Sequence, residues 1–173
     1  MEESRIRDMC LVGVMAAVTC VLAPLSIPIG PVPVTLTNLA VYLSLYLLGM
    51  RRSVLSYLVY LLLGVAGLPV FSGFSGGLGK LAGPTGGYII GFLPMAVIGG
   101  AAVERFQKRA VHFLAMVLGT AVCYALGTAW FCAVMNTGVV AALGQAVFPF
   151  IPVDLAKIAI AVFIGPTIRA RVA

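Results

Sequence analysis

Acidic residues are nearly missing from this chain: Asp and Glu together number five among 173 residues, and only Asp154 falls inside a long apolar run. Histidine occurs once, at His112, and tryptophan once, at Trp130. These shortages exclude most site chemistry. Paired carboxylates for acid–base work, a nucleophile with a histidine base, and a metal-ligand cluster all need residues the chain does not supply in the required spacing. Cys10, Cys20, Cys123 and Cys132 all lie in apolar runs without ligand spacing, so each reads as a small buried hydrophobe. Charge of either sign is scarce as well, at 9% of residues, where a soluble domain carries roughly 25%. With 62% of its residues hydrophobic, a soluble fold of this length has nowhere to hide its apolar surface. The composition therefore describes one integral membrane domain over residues 1–173.

The net charge of +6 does not point to nucleic acid, because the basic residues form short clusters between apolar runs, the pattern of loops that orient a membrane protein. The mixed-charge stretch Met1–Met9 precedes an apolar run without a small-x-small exit, so no cleavable signal peptide is expected. Six apolar segments approach the roughly 17–25 residues a bilayer core requires. They run about Met9–Pro28, Pro33–Gly49, Val54–Leu68, Gly87–Val103, Val111–Met135 and Pro152–Ile168. An all-α bundle follows, since in lipid the backbone must satisfy its own hydrogen bonds. With both termini on the cytoplasmic side, Arg5, Arg7, Arg51, Arg52, Arg105, Lys108, Arg109, Arg169 and Arg171 all fall on the inner face, as positive-inside bias requires. Two cations remain, Lys80 and Lys157, and both map to the outer half. His112, at the inner start of the fifth segment, reads as an interfacial side chain.

Asp154 and Lys157 are the informative pair. They lie three residues apart, on one face of a helix, inside an apolar run where an ionisable group costs at least ~2.5 kcal/mol and so faces a partner, a cavity or a ligand. A structural ion pair and a ligand site are both open at this point. Pro33 and Pro152 suit first helical turns, which places Thr35, Asn38 and Asp154 near two outward-pointing helix starts; Thr35 and Asn38 can cap a helix there or touch a ligand. The glycine-rich segment 68–88 is too long for a plain connection. It brings Phe71, Phe74, Lys80 and Tyr88 toward the outer mouth, with Tyr42 and Trp130 as further candidate walls. Gly77-Leu-Gly79-Lys80 is not a phosphate loop: Phe74 stands where the first glycine belongs, and Leu81 where a Ser or Thr would hold magnesium. No nucleotide or metal is expected in this chain.

Three motifs, in order, carry a resemblance: Gly30-Pro-Val-Pro-Val-Thr35; the segment from Gly67-Leu-Pro-Val-Phe71 through Ser75-Gly-Gly-Leu-Gly79 to Gly83-Pro-Thr-Gly-Gly-Tyr88; and Pro149-Phe-Ile-Pro-Val-Asp-Leu-Ala-Lys157. Together they resemble the BioY family, the biotin-specific substrate-binding (S) components of energy-coupling-factor transporters. Val153 stands where that family often has glycine. The resemblance covers nearly the whole chain and implies a six-helix S-component fold in a prokaryotic cytoplasmic membrane. It also implies biotin capture at the outer face, and assembly with a transmembrane coupling subunit and two ATPase subunits. Small residues Gly13 and Ala17, four apart on the first segment, are similar to the family's surface for the coupling subunit, though the same spacing serves internal packing.

The chemistry of biotin suits such a site. Asp154 can accept from the ureido N–H groups and Lys157 can donate to the ureido carbonyl. The tail carboxylate then needs another cation or helix N-terminal amides. Lys80 is the other outward cation, and which lysine takes which end of the ligand is open at this point. Two other readings stand beside this one: an S component for a different vitamin, and an intramembrane enzyme, for which Asp154 has no second carboxylate nearby in sequence.

Overall fold

Gly49 divides the longest helix. The computed structural model describes residues 2–172, with side chains over 6–171; Met1, Ala173 and the Arg5 side chain lie outside the described residues. In chain order the elements are α1 (Glu2–Leu22), β1 (Ser26–Ile27), β2 (Val34–Thr35), α2 (Thr37–Val65), α3 (Leu78–Ala82), α4 (Gly86–Arg105), α5 (Arg109–Met135), α6 (Val139–Ala146) and α7 (Ile151–Val172). Within α2 the backbone at Gly49 adopts φ 76° and ψ 177°, a conformation that glycine reaches without steric cost. Asn38 and Tyr60 are each eleven residues from Gly49 (49 − 38 and 60 − 49), yet both line one hollow. The two limbs of α2 therefore run antiparallel. Glu104, at the end of α4, secures the turn by accepting the Met50 amide at 2.6 Å, one of the donors that a new helix start leaves unpaired.

The second expected segment ends at this break, but its start was placed too early. Val34 and Thr35 form the second strand of an antiparallel hairpin, pairing with Ile27 and Ser26, and α2 begins at Thr37. Pro33 therefore precedes the hairpin strand and opens no helix. Among the described residues the fold is all-α apart from this pair of two-residue strands and an isolated bridge between Phe71 and Ser75. Helix α6 falls outside the six expected segments, because eight residues are far too few for the span length that marks out the others. Asn136, in the left-handed conformation at φ 50°, ends α5 ahead of it, a position that asparagine tolerates better than most side chains.

Glycine sets the spacing between α4 and α5. A Cβ on Gly127 would come within 2.2 Å of the Tyr88 ring, and one on Gly91 within 2.9 Å of the Cys123 sulfur. Small residues let membrane helices approach closely, where apolar burial gives no preference for protein over lipid. Tyr42, Leu45, Met95, Met116 and Ile158 fill the interior, while Val14, Leu62, Leu114, Leu118 and Phe163 point outward. That apolar exterior suits hydrocarbon. Among the described residues, four helices are long and apolar enough to cross a membrane: Thr37–Val65, Gly86–Arg105, Arg109–Met135 and Ile151–Arg171.

Candidate functional site

The starts of α2, α4 and α7, the second limb of α2 and the middle of α5 meet around a cavity of about 80 Å³, room for several water molecules. Asp154 and Lys157 lie in its wall, at 7% and 6% exposure. The first turns of α7 carry them because Phe150 anchors the helix start, accepting the Asp154 amide at 2.8 Å. The neighbours Phe150 and Ile158 are buried on either side.

The two charges are held in a five-residue network. Lys157 Nζ donates to the Thr35 carbonyl at 2.6 Å, to Asn38 Oδ1 at 3.0 Å and to Asp154 Oδ1 at 3.1 Å. Asn38 Nδ2 donates to the same Asp154 oxygen at 2.7 Å, and Tyr124 Oη donates to Asp154 Oδ2 at 2.6 Å. An ammonium has three donors, so Lys157 is fully satisfied within the protein. Asp154, a carboxylate with about four acceptor sites, accepts three bonds here. Burial of a charge pair is tolerable only under such satisfaction. The arrangement thus presents a hydrogen-bonding surface, anchored on three helices and a hairpin, to one side of the hollow.

The remaining wall is largely aromatic and apolar. Tyr57, Tyr60, Tyr88, Ile89 and Phe92 face the space, with Thr85 and Ser72 adding hydroxyls. Tyr57 donates its hydroxyl to the Ile89 carbonyl at 2.8 Å, and Tyr88 shares a hydrogen bond with Thr128. Polar tips so occupied leave ring faces free to flank an apolar ligand.

Of the residues singled out from sequence, Thr35, Asn38, Tyr88, Asp154 and Lys157 come together at this wall. Thr35 arrives from the hairpin, not from a helical turn, and contributes its carbonyl. Phe71, Phe74 and Lys80 do not line the hollow. Phe71 is fully buried behind it, seated against Gly64 and edge-on to Tyr60. Phe74, with φ 55°, is 66% exposed on the outside of the loop. Lys80 lies in α3, half-buried, and partial burial lowers its pKa from the usual lysine value by disfavouring the charged form. Trp130 donates to the Gly83 carbonyl at 3.0 Å and braces the loop. Tyr42 is buried beneath the site, bonded to Thr120. His112 does not reach outward: it is buried near the start of α5, with Nε2 directed at the Phe106 carbonyl at 2.8 Å and Nδ1 at the Tyr46 hydroxyl at 3.2 Å. The carbonyl can only accept, so Nε2 carries the proton and Nδ1 accepts from Tyr46. Gly13 and Ala17 lie on the outward face of α1, and a Cβ on Gly13 would meet nothing within 4 Å.

Tyr124 was missed. The signal lay in the spacing of Thr120, Tyr124 and Thr128, four residues apart along α5. That spacing puts three hydroxyls on one helix face, and all three are hydrogen-bonded inward.

Comparison with known proteins accords with this geometry. A family model described as the BioY family matches residues 1–173. A protein of Pyrococcus horikoshii named a probable biotin transporter BioY is 38% identical over 165 residues, covering 95% of this chain and 98% of that one. The biotin transporter BioY of Thermotoga maritima is 38% identical over 162 residues, covering 92% and 94%. A crystal structure of the S-component for biotin from an ECF-type ABC transporter superposes with a TM-score of 0.90 at 27% identity, covering 98% of this chain and 94% of the other. The chain therefore belongs to the BioY family.

Proposed function

We propose that this multi-pass membrane protein is the biotin-binding S component of an energy-coupling-factor transporter, capturing the vitamin at the outer face of a prokaryotic cytoplasmic membrane. The observation that carries the reading is the Asp154–Lys157 pair, buried yet lining a hollow with aromatic walls. Relatives named for biotin transport and the biotin S-component neighbour support the choice of ligand.

In this reading the ureido ring of biotin meets the network. Asp154 accepts from a ureido N–H through its open acceptor site. Lys157 turns one donor to the ureido carbonyl and gives up a protein partner in exchange, with Tyr124 and Asn38 holding the carboxylate in place. The tail carboxylate is assigned to Lys80, which reaches it as the 68–88 loop settles over the ligand; Phe71, Phe74 and Tyr88 belong to that loop or its edge. Two negative and two positive charges then cancel inside the site, which low dielectric favours.

The break in α2 supports counting six spans, with α1, the two limbs of α2, α4, α5 and α7, and both termini inside. Reorientation of the loaded protein is assigned to a coupling subunit and two ATPase subunits, with Gly13 and Ala17 on the outward face of α1 as the contact.

The reading is tested by competing a panel of vitamins against labelled biotin on the purified protein, with recovery of the bound molecule afterward. Selective displacement by biotin, recovered unchanged, is expected. Preference for another vitamin would make the chain an S component of different specificity, and a chemically altered ligand would make it an enzyme.

A further inference from the structure

The opposite end of the bundle holds a second, wider hollow of about 650 Å³. Four chain segments build it: Arg7 and Asp8 from the start of α1, Arg51 and Arg52 beside the α2 break, Glu104 from the end of α4, and Arg169 from the last turns of α7. Its floor is apolar, formed by Leu11 and the stretch 45–48. Four arginines against two carboxylates leave a net charge of +2 in the lining (4 − 2).

Both carboxylates are already committed. Asp8 pairs with Arg52 at 2.7 Å, and Glu104 accepts the Met50 amide at 2.6 Å. Arg51 and Arg169 have no hydrogen-bond or ion-pair partner among the described residues. Both guanidiniums are exposed along the same hollow, and the fork of donors on each matches the oxygens of a phosphate.

A third feature identifies the source of that phosphate. An apolar groove between α1 and the second limb of α2, lined by Val12, Leu55 and Val59, adjoins the basic hollow across the Asp8–Arg52 ion pair that lines both. A free anion has no use for such a groove. An acyl chain does.

We infer that this hollow binds the phosphodiester headgroup of an anionic lipid, held by Arg51 and Arg169, with an acyl chain in the groove between α1 and α2. Gly13 also lines the groove, so the lipid borders the face proposed for the coupling subunit. The site lies at the other end of the bundle from Asp154 and needs no biotin.

Native mass spectrometry of the detergent-purified protein tests it, with phosphatidylglycerol, phosphatidylcholine and inorganic phosphate offered at equal concentration. Phosphatidylglycerol is expected to be retained roughly tenfold over phosphatidylcholine, as two arginine contacts near a membrane surface allow, and the preference should shrink as salt rises. The double variant Arg51→Gln/Arg169→Gln should lose most of it. Arg105→Gln/Arg171→Gln, which removes two exposed arginines outside the hollow, should keep it. Thermal melting and elution volume check that both variants are folded; if the first is not, the headgroup preference and salt response of the unaltered protein decide. Equal retention of the two lipids overturns the proposal, as does full displacement of phosphatidylglycerol by inorganic phosphate or an undiminished preference in the folded double variant.

Discussion

Tyr124, on α5, donates its hydroxyl to Oδ2 of Asp154, on α7, at 2.6 Å, and so fixes the oxygen that Lys157 and Asn38 leave untouched. A hydrogen bond to an ionised group contributes about 1.5–3 kcal/mol. Tyr124→Phe removes the donor while preserving the ring. It is expected to lower biotin affinity by roughly tenfold and to leave the fold intact. Calorimetric titration and thermal melting measure the two effects, and an unchanged affinity would remove Tyr124 from the site.

The ion pair itself gives a sharper expectation through a double-mutant cycle. Removing one member of a buried pair strands the other charge, at about 3–5 kcal/mol. Asp154→Asn and Lys157→Met should each depress the melting temperature strongly. The combined variant should lose much less than the sum, because neither charge is then left alone. Additive losses would show that the two side chains do not compensate each other.

Lys80 supplies the pH dependence. Its folded-state pKa is below the ordinary lysine value because burial disfavours the charged form. With respect to folding, the cation is the penalised state, so this group's penalty applies at low pH and is relieved as pH rises through the lowered pKa. Binding has the opposite sign: a carboxylate needs the ammonium, so its contribution is present below that pKa and disappears above it. Biotin affinity is expected to fall with rising alkalinity sooner than an ordinary lysine would allow. Biotin methyl ester should lack this dependence. If Lys80→Ala weakens acid and ester equally, the assignment of Lys80 to the tail is wrong.

Two glycine substitutions probe the frame around the hollow. Gly127→Ala drives a methyl into the Tyr88 ring, 2.2 Å from the Cβ position, and overpacking of this kind costs about 1–3 kcal/mol. Tyr88 lines the hollow, so affinity should fall together with stability. Gly49→Ala instead sets a methyl 2.6 Å from Glu104 Oε1 at φ 76°. It should destabilise the protein by about 1–3 kcal/mol with little effect on biotin affinity, since the break is far from the site. Melting and titration of both variants separate the two behaviours.

How much of this was legible beforehand depends on the physics behind each feature. Asp154 and Lys157 stood out because charge in an apolar run has few permitted uses, and the break at Gly49 coincided with the expected end of the second segment. Pro33 misled because its fixed φ suits an extended approach as well as a first helical turn, and nothing local reveals that Val34 pairs with Ile27. Phe71 and Phe74 share one turn of the loop but differ in burial, since Gly73 and Phe74, both at positive φ, reverse the chain inside the Phe71–Ser75 bridge, and composition carries no such direction. Tyr124 was readable only as part of a stripe with Thr120 and Thr128, once a helix is assumed through all three. The arginine hollow escaped notice because its members come from four separated segments.

The most direct measurement is titration of the detergent-purified protein with biotin, beside Asp154→Ala and Lys157→Ala checked for folding by thermal melting. Saturable one-to-one binding, lost or sharply weakened in both folded variants, is the predicted result. Biotin bound equally well without either side chain would contradict the account.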